Sequence, residues 1–128
     1  MIALAEARRL VERCVQELAV PRVVREQARE FGAHTLDEFG SISISPLSRE
    51  PCGDYGGPLV DGEWTAADSQ EVFAILLLTN GVLSELQIYS GDSFGIRAEV
   101  HASNFALFPG MVLAHLARTG EIPLMPPS

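Results

Sequence analysis

The dipeptide Asn80-Gly81 constrains this chain more than any other feature. It lies between two apolar runs, residues 72–79 and 82–90. Asn-Gly is the preferred type I′ turn because both central residues need positive φ. The two runs are therefore expected to be adjacent antiparallel strands. A regular two-residue turn sets Thr79 opposite Val82, Leu77 opposite Ser84, Ile75 opposite Leu86 and Phe73 opposite Ile88, all on one face. That face is expected to be core. The reverse face carries Leu78 with Leu83, Leu76 with Glu85, Ala74 with Gln87 and Val72 with Tyr89. Residues 72–78 are apolar on both sides, as in a central strand covered twice. The reverse face then needs a cover: the C-terminal helix, a second copy of the chain, or a target.

Upstream, the hydrophobic period is helical. Leu4, Ala7, Val11, Cys14, Val15 and Leu18 recur at three- and four-residue steps and predict one amphipathic helix. Pro21 stops it and suits the first turn of a second helix carrying Val24, Ala28 and Phe31, with Gly32 as its stop. Ser41-Ile42-Ser43-Ile44-Ser45 alternates strictly and predicts a half-buried strand that Pro46 ends. Residues 48–70 are rich in Gly, Pro and Asp and are expected to form a long loop. Within it, Asp61-Gly62 suggests a small ribbon turn pairing Leu59 and Val60 with Glu63 and Trp64. Gly91-Asp92-Ser93 suggests another turn. Ile96, Ala98 and Val100 alternate with Arg97, Glu99 and His101 as a third meander strand would. Pro109 precedes a buried helix over 110–118 that ends at Gly120.

The expected fold class is α+β: two N-terminal helices packed on a small antiparallel sheet, a meander around the Asn80-Gly81 hairpin, with a short C-terminal helix. Residues 1–122 form the single domain, and 123–128 a flexible proline-rich tail. The segment from Gly81 to Tyr89 carries a further signal. Its Gly-Val-Leu-Ser-Glu-Leu-Gln-Ile-Tyr run resembles a group of small bacterial proteins of unknown function that share a G-x-L-S-E-L-[EQ]-I-Y strand after such a turn. The resemblance implies a bacterial source and an α+β domain, and implies no activity.

Charge narrows the function classes. The net charge of −8 is unevenly placed, with six arginines against five acids in residues 1–31 and three arginines against twelve acids in the rest. There is no lysine. Such a balance argues against nucleic acid, whose phosphates need a basic surface. No apolar run is long enough to span a bilayer, and charged residues interrupt the N-terminus where a secretory signal would lie, so a cytoplasmic protein is expected.

Catalytic motifs are not evident. His34, His101 and His115 show no metal-ligand spacing, no serine stands in Gly-x-Ser-x-Gly, and the glycines at 53–57 match no phosphate loop. No cofactor and no metal are therefore expected. Cys52 sits in a loop whose neighbours Glu50 and Asp54 would raise a thiol pKa, which disfavours a nucleophile. Cys14 reads as a core residue, and no disulfide between the two is expected. Binding chemistry remains. Aromatics set among acids suit capture of a protein partner, so the candidate contact residues are Asp54, Tyr55, Asp61, Glu63, Trp64, Asp68, Glu85 and Tyr89. For Trp64 the competing expectation is a cap on the hairpin core. The expected function is a non-enzymatic interaction module, immunity-like or regulatory, binding a protein partner or itself. The alternatives are a small-molecule-binding protein or small enzyme with Glu85 in a pocket, and a structural homodimer.

Overall fold

A computed structural model describes residues 1–92 and 95–127 of the chain. In chain order the elements are α1 (Leu4–Glu17), β1 (Val20–Pro21), α2 (Arg22–Arg29), β2 (Phe31–Thr35), β3 (Ile42–Pro46), β4 (Gly57–Thr65), β5 (Glu71–Thr79), β6 (Val82–Ser90), a 3-10 turn (Ala102–Asn104), β7 (Ala106–Pro109), α3 (Met111–Thr119) and β8 (Leu124–Met125). Six strands form one antiparallel sheet in the order β2-β3-β6-β5-β4-β7. β1 and β8 make a separate two-stranded ribbon, Val20 with Met125 and Pro21 with Leu124. The architecture is α+β, with α1 and α2 N-terminal and α3 near the C-terminus.

The helices end as their sequences direct. Pro21 precedes α2, and Gly120 closes α3 in the left-handed conformation at φ 65°, its amide donating to the Leu116 carbonyl. Buried side chains of α1 (Ala7, Leu10, Val11, Cys14), α2 (Val24, Ala28) and α3 (Val112, Leu113, Leu116) join one cluster with one face of the sheet. Met111 departs from the expected burial and is 71% exposed. Gly32 does not stop α2: Glu30 ends the helix, and Phe31 and Gly32 enter β2, paired with Pro46 and Ser45.

The hairpin turn forms as expected, with Asn80 at φ 50° and Gly81 at φ 78°. Thr79 faces Val82 and Leu78 faces Leu83, but a bulge then lets Ser84 and Glu85 together oppose Leu77. From there the pairing is one step out of the expected phase: Leu76 with Leu86, Ile75 with Gln87, Ala74 with Ile88, Phe73 with Tyr89. The cause lies in β6. Leu83, Leu86 and Ile88 cannot share a face in an unbroken two-residue period, and one extra residue at Ser84 brings all three inward. The core face is therefore Val72, Ala74, Leu76 and Leu78 with Leu83, Leu86 and Ile88, each at most 3% exposed. Phe73, Ile75 and Leu77 point the other way and are half-buried. The expected face assignment of β5 is reversed.

Three further expectations are corrected. Asp61-Gly62 is no turn, and residues 48–70 are no continuous loop, because β4 runs straight through them between β5 and β7. Val60, Gly62 and Trp64 pair with Leu76, Ala74 and Val72, so this strand alternates inward and outward like any other. A Cβ on Gly62 would lie 3.3 Å from Ala74 Cβ and from a Leu107 methyl, so the absent side chain leaves room for the neighbours. The segment after β6 is no third meander strand. Val100 makes a single parallel bridge to Ile2, and the buried Gln70 side chain holds the 95–97 backbone, donating to the Gly95 carbonyl at 3.0 Å and accepting from the Arg97 amide at 3.0 Å. Ser93 of the expected Gly91-Asp92-Ser93 turn lies outside the described residues.

Below the turn, the loop over 52–55 lies directly on Asn80-Gly81. The Cys52 amide donates to the Gly81 carbonyl at 2.8 Å, and the Gly81 amide donates to the Tyr55 carbonyl at 2.7 Å. Gln27 of α2 reaches into the same place. Its Nε2 donates to the carbonyls of Glu50 (2.8 Å) and Gly81 (3.0 Å), and its Oε1 accepts from the Leu83 amide at 2.8 Å. The side chain is fully buried. It satisfies an edge amide of β6 beyond the end of β3, whose pairing with β6 covers only Ile42–Leu86 and Ser43–Glu85.

Candidate interaction surface

The helices bury their apolar stripes into one face of the sheet; among the described residues the opposite, outer face has no helix over it. The cross-strand rows on that face follow from the register. One row runs Gln87, Ile75, Asp61, Phe108 across β6, β5, β4 and β7; the next runs Tyr89, Phe73, Glu63, Ala106; a third runs Ser43, Glu85, Leu77, Pro58 from β3 to β4. A ridge of Phe73, Ile75 and Leu77 thus occupies the middle strand. The Phe73 and Tyr89 rings stack at 5.2 Å, and Tyr89 and Phe108 are 39% and 46% exposed.

Acids border this ridge on both sides. Asp61 and Glu63 stand on β4, Glu85 on β6, and Glu71 at the start of β5. Burial raises the pKa of Asp61 above the ordinary carboxylate value, and the charge on Glu63 adds to it. The Glu85 carboxylate accepts from the Gln87 amide at 2.6 Å. Among the described residues no strand contributes an arginine, whereas Arg8, Arg9, Arg13, Arg22, Arg25 and Arg29 all lie on α1 and α2, on the far side of the sheet. The outer face is thus acidic, whereas α1 and α2 set their six arginines against Glu6, Glu12, Glu17 and Glu26. Beside β6 the outer face runs into a hollow of about 320 Å³, lined by Leu36, Asp37, Phe39, Glu85, Gln87 and Tyr89 among others.

Of the residues singled out from sequence, the fold gathers Asp61, Glu63, Glu85 and Tyr89 on this one face and separates the rest. Trp64 points inward, edge-on to Phe105 at 6.3 Å, and packs against the core. Asp54 is exposed on the 52–55 loop. Tyr55 faces α3, where its hydroxyl donates to Glu121 and its ring meets His115 at 5.7 Å; the Glu121 carboxylate pushes the phenol pKa up to about 12. Asp68 accepts from Arg97 Nε at 2.8 Å, and that contact lowers its pKa. Phe73, Ile75 and Leu77, expected in the core, also lie on this face, together with Phe108. The alternation of acids at 61 and 63 with Val60, Gly62 and Trp64 is the signal that could have found the face.

Other groups have plainer surroundings. His34 contacts Ser43 Oγ at 2.7 Å, and His101 lies 3.3 Å from Glu6. Among the described residues no three metal-ligating side chains converge. Cys14 and Cys52 are free and buried, and burial raises both thiols, Cys14 to about 12. Leu76 is sealed in the core on the face opposite Glu85 and Tyr89, so these three residues do not line one pocket. Among the described residues no helix is long and apolar enough to cross a membrane. No family model, no curated protein and no solved structure matches the chain.

Proposed function

We propose that the protein is a non-enzymatic interaction module that binds a protein partner through the outer face of its sheet. The observation that carries this reading is the ridge of Phe73, Ile75 and Leu77, flanked by the exposed rings of Tyr89 and Phe108, on a face no described helix covers. An antiparallel sheet with one solvated face ordinarily alternates to polar residues there. Here the middle strand does not, although its two neighbours do. A contiguous apolar strip rimmed by polar groups is the anatomy of a docking surface.

Ile75→Asp places a charge in the centre of the ridge without touching the core. It is expected to lower affinity for the physiological partner by about tenfold or more, since truncating a central anchor costs most. The melting temperature should stay close to that of the parent. The check is capture from the native cell extract by wild type, by Ile75→Asp, and by Arg22→Glu on the helix side as a control. A protein held by wild type and by Arg22→Glu but lost by Ile75→Asp supports the reading. Identical capture by all three baits overturns it.

A further inference from the structure

We infer that the occupant of this face is a cationic amphipathic helix of a partner protein, an inference that rests on the docking surface proposed above. Three observations carry it. The first is the pattern of charge. The apolar ridge is bordered by Asp61 and Glu63 on one side and Glu85 on the other, with Glu71 at one end, and no described strand of the sheet supplies an arginine to answer them. A partner that covers the ridge must bring these carboxylates out of water, which is costly unless it carries cations to meet them.

The second observation is Asp61 itself. It lies between Ile75 and Phe108, is already half-buried, and has Glu63 two residues away on the same face. Partial burial and the neighbouring Glu63 charge both disfavour the ionised form of Asp61 in the free protein. A lysine or arginine set against the two acids favours that form, its methylene stem lying along the ridge and its charged head reaching the carboxylates.

The third is size. The acids on β4 and β6 lie two strand spacings apart, about 10 Å, close to the diameter of an α-helix. The ridge from Phe73 to Leu77 is about 14 Å long, which two and a half turns of helix would cover. The complement is a helix with an apolar stripe at i, i+3, i+4, i+7 and cations on both flanks of it. The same charge pattern disfavours the other occupants. A second copy docked by the same face about a two-fold axis would bring one set of acids against the other. An anionic lipid surface would meet carboxylates instead of bases.

The test uses a synthetic helical peptide of about 18 residues with a leucine stripe flanked by lysines, and its counterpart with glutamates in place of the lysines. Each is titrated into the full chain at about 150 mM salt, with binding located by amide chemical shifts. The lysine peptide is expected to bind and to shift residues 61, 63, 73, 75, 77 and 85, while the glutamate peptide does not bind. Asp61→Lys with Glu63→Lys should weaken the lysine peptide by about tenfold or more and create binding of the glutamate peptide. Glu85→Lys alone, on the opposite flank, should weaken the lysine peptide to a smaller degree and serves if the double variant does not fold.

Shifts confined to another surface, equal binding of the two peptides by wild type, or no binding of either would overturn the inference. So would a dimer in sedimentation that Ile75→Asp dissolves, because a second copy would then be the cover. If the physiological partner is lost by Ile75→Asp but kept by the double variant Asp61→Lys with Glu63→Lys, the docking face stands and the cationic partner falls. If it is kept by both variants, the docking face falls as well.

Discussion

Replacing Gly81 with alanine is expected to destabilise the protein by about 3 kcal/mol, because two costs combine at this position. An alanine at φ 78° suffers the left-handed penalty of about 1–2 kcal/mol. Its Cβ would also stand 2.4 Å from the Gly53 carbonyl oxygen and 2.7 Å from the Cys52 nitrogen, both backbone atoms. The loop over 52–55 must then lift off the turn, and the bonds from Cys52 N–H to Gly81 and from Gly81 N–H to Tyr55 go with it. Overpacking of this kind adds about 1–3 kcal/mol. Thermal unfolding should show the midpoint falling by roughly 10 °C or more. Gly120→Ala is the control, since Gly120 has a similar φ of 65° but nothing within 4 Å of a Cβ. It should lose only the left-handed penalty of about 1–2 kcal/mol. Equal losses at the two positions would mean that the loop does not rest on the hairpin.

Gln27→Leu should have an effect of similar size through different physics. Leucine nearly matches the volume, so packing changes little. What it removes is the acceptor for the Leu83 amide and the donors to Glu50 and Gly81. The Gly81 carbonyl keeps its bond from Cys52, but the buried Leu83 N–H loses the partner found here. One orphaned buried donor and the lost bonds around it cost about 2–4 kcal/mol. Equilibrium unfolding in urea measures the loss, and amide exchange at Leu83 should accelerate well beyond that of Leu76 in the middle of β5. A variant as stable as the parent would show that Gln27 fills space and nothing more.

How much of this was legible in the sequence depends on how locally each feature is encoded. α1, β3, the Asn80-Gly81 turn and the close of α3 at Gly120 follow from period, caps and turn chemistry within a few residues. The register of the hairpin does not, because β5 is apolar on both faces and accepts either phase. The phase is chosen by β6, where Leu83-x-x-Leu86-x-Ile88 breaks the two-residue period and a bulge restores a common face. β4 was hidden by Asp61-Gly62, a turn signal that tertiary pairing overrides: Gly62 is there to leave room for Ala74 and Leu107. Gln27 was visible in principle as a polar residue three positions after Val24, on the buried stripe of α2. Its partners come from Glu50, Gly81 and Leu83, and no local reading supplies them. Among the site residues, Asp61, Glu63, Glu85 and Tyr89 were singled out for charge and aromaticity, and the fold brings them together. Asp54, Tyr55, Trp64 and Asp68 share that chemistry but are parted from them, because a two-residue period or a turn directs each one elsewhere.

Phe73, Ile75 and Leu77 form the uncovered side of the sheet, while Leu76 and its neighbours form the core. Single cysteines at positions 75 and 76, exposed in the native protein to a thiol reagent in solution, distinguish the two faces. Cys14 and Cys52 are buried and should react slowly, providing the baseline. A cysteine at position 75 is expected to react promptly without unfolding, and one at position 76 only when the protein unfolds. Prompt reaction at 76 with protection at 75 would restore the unbulged register and remove the proposed docking face.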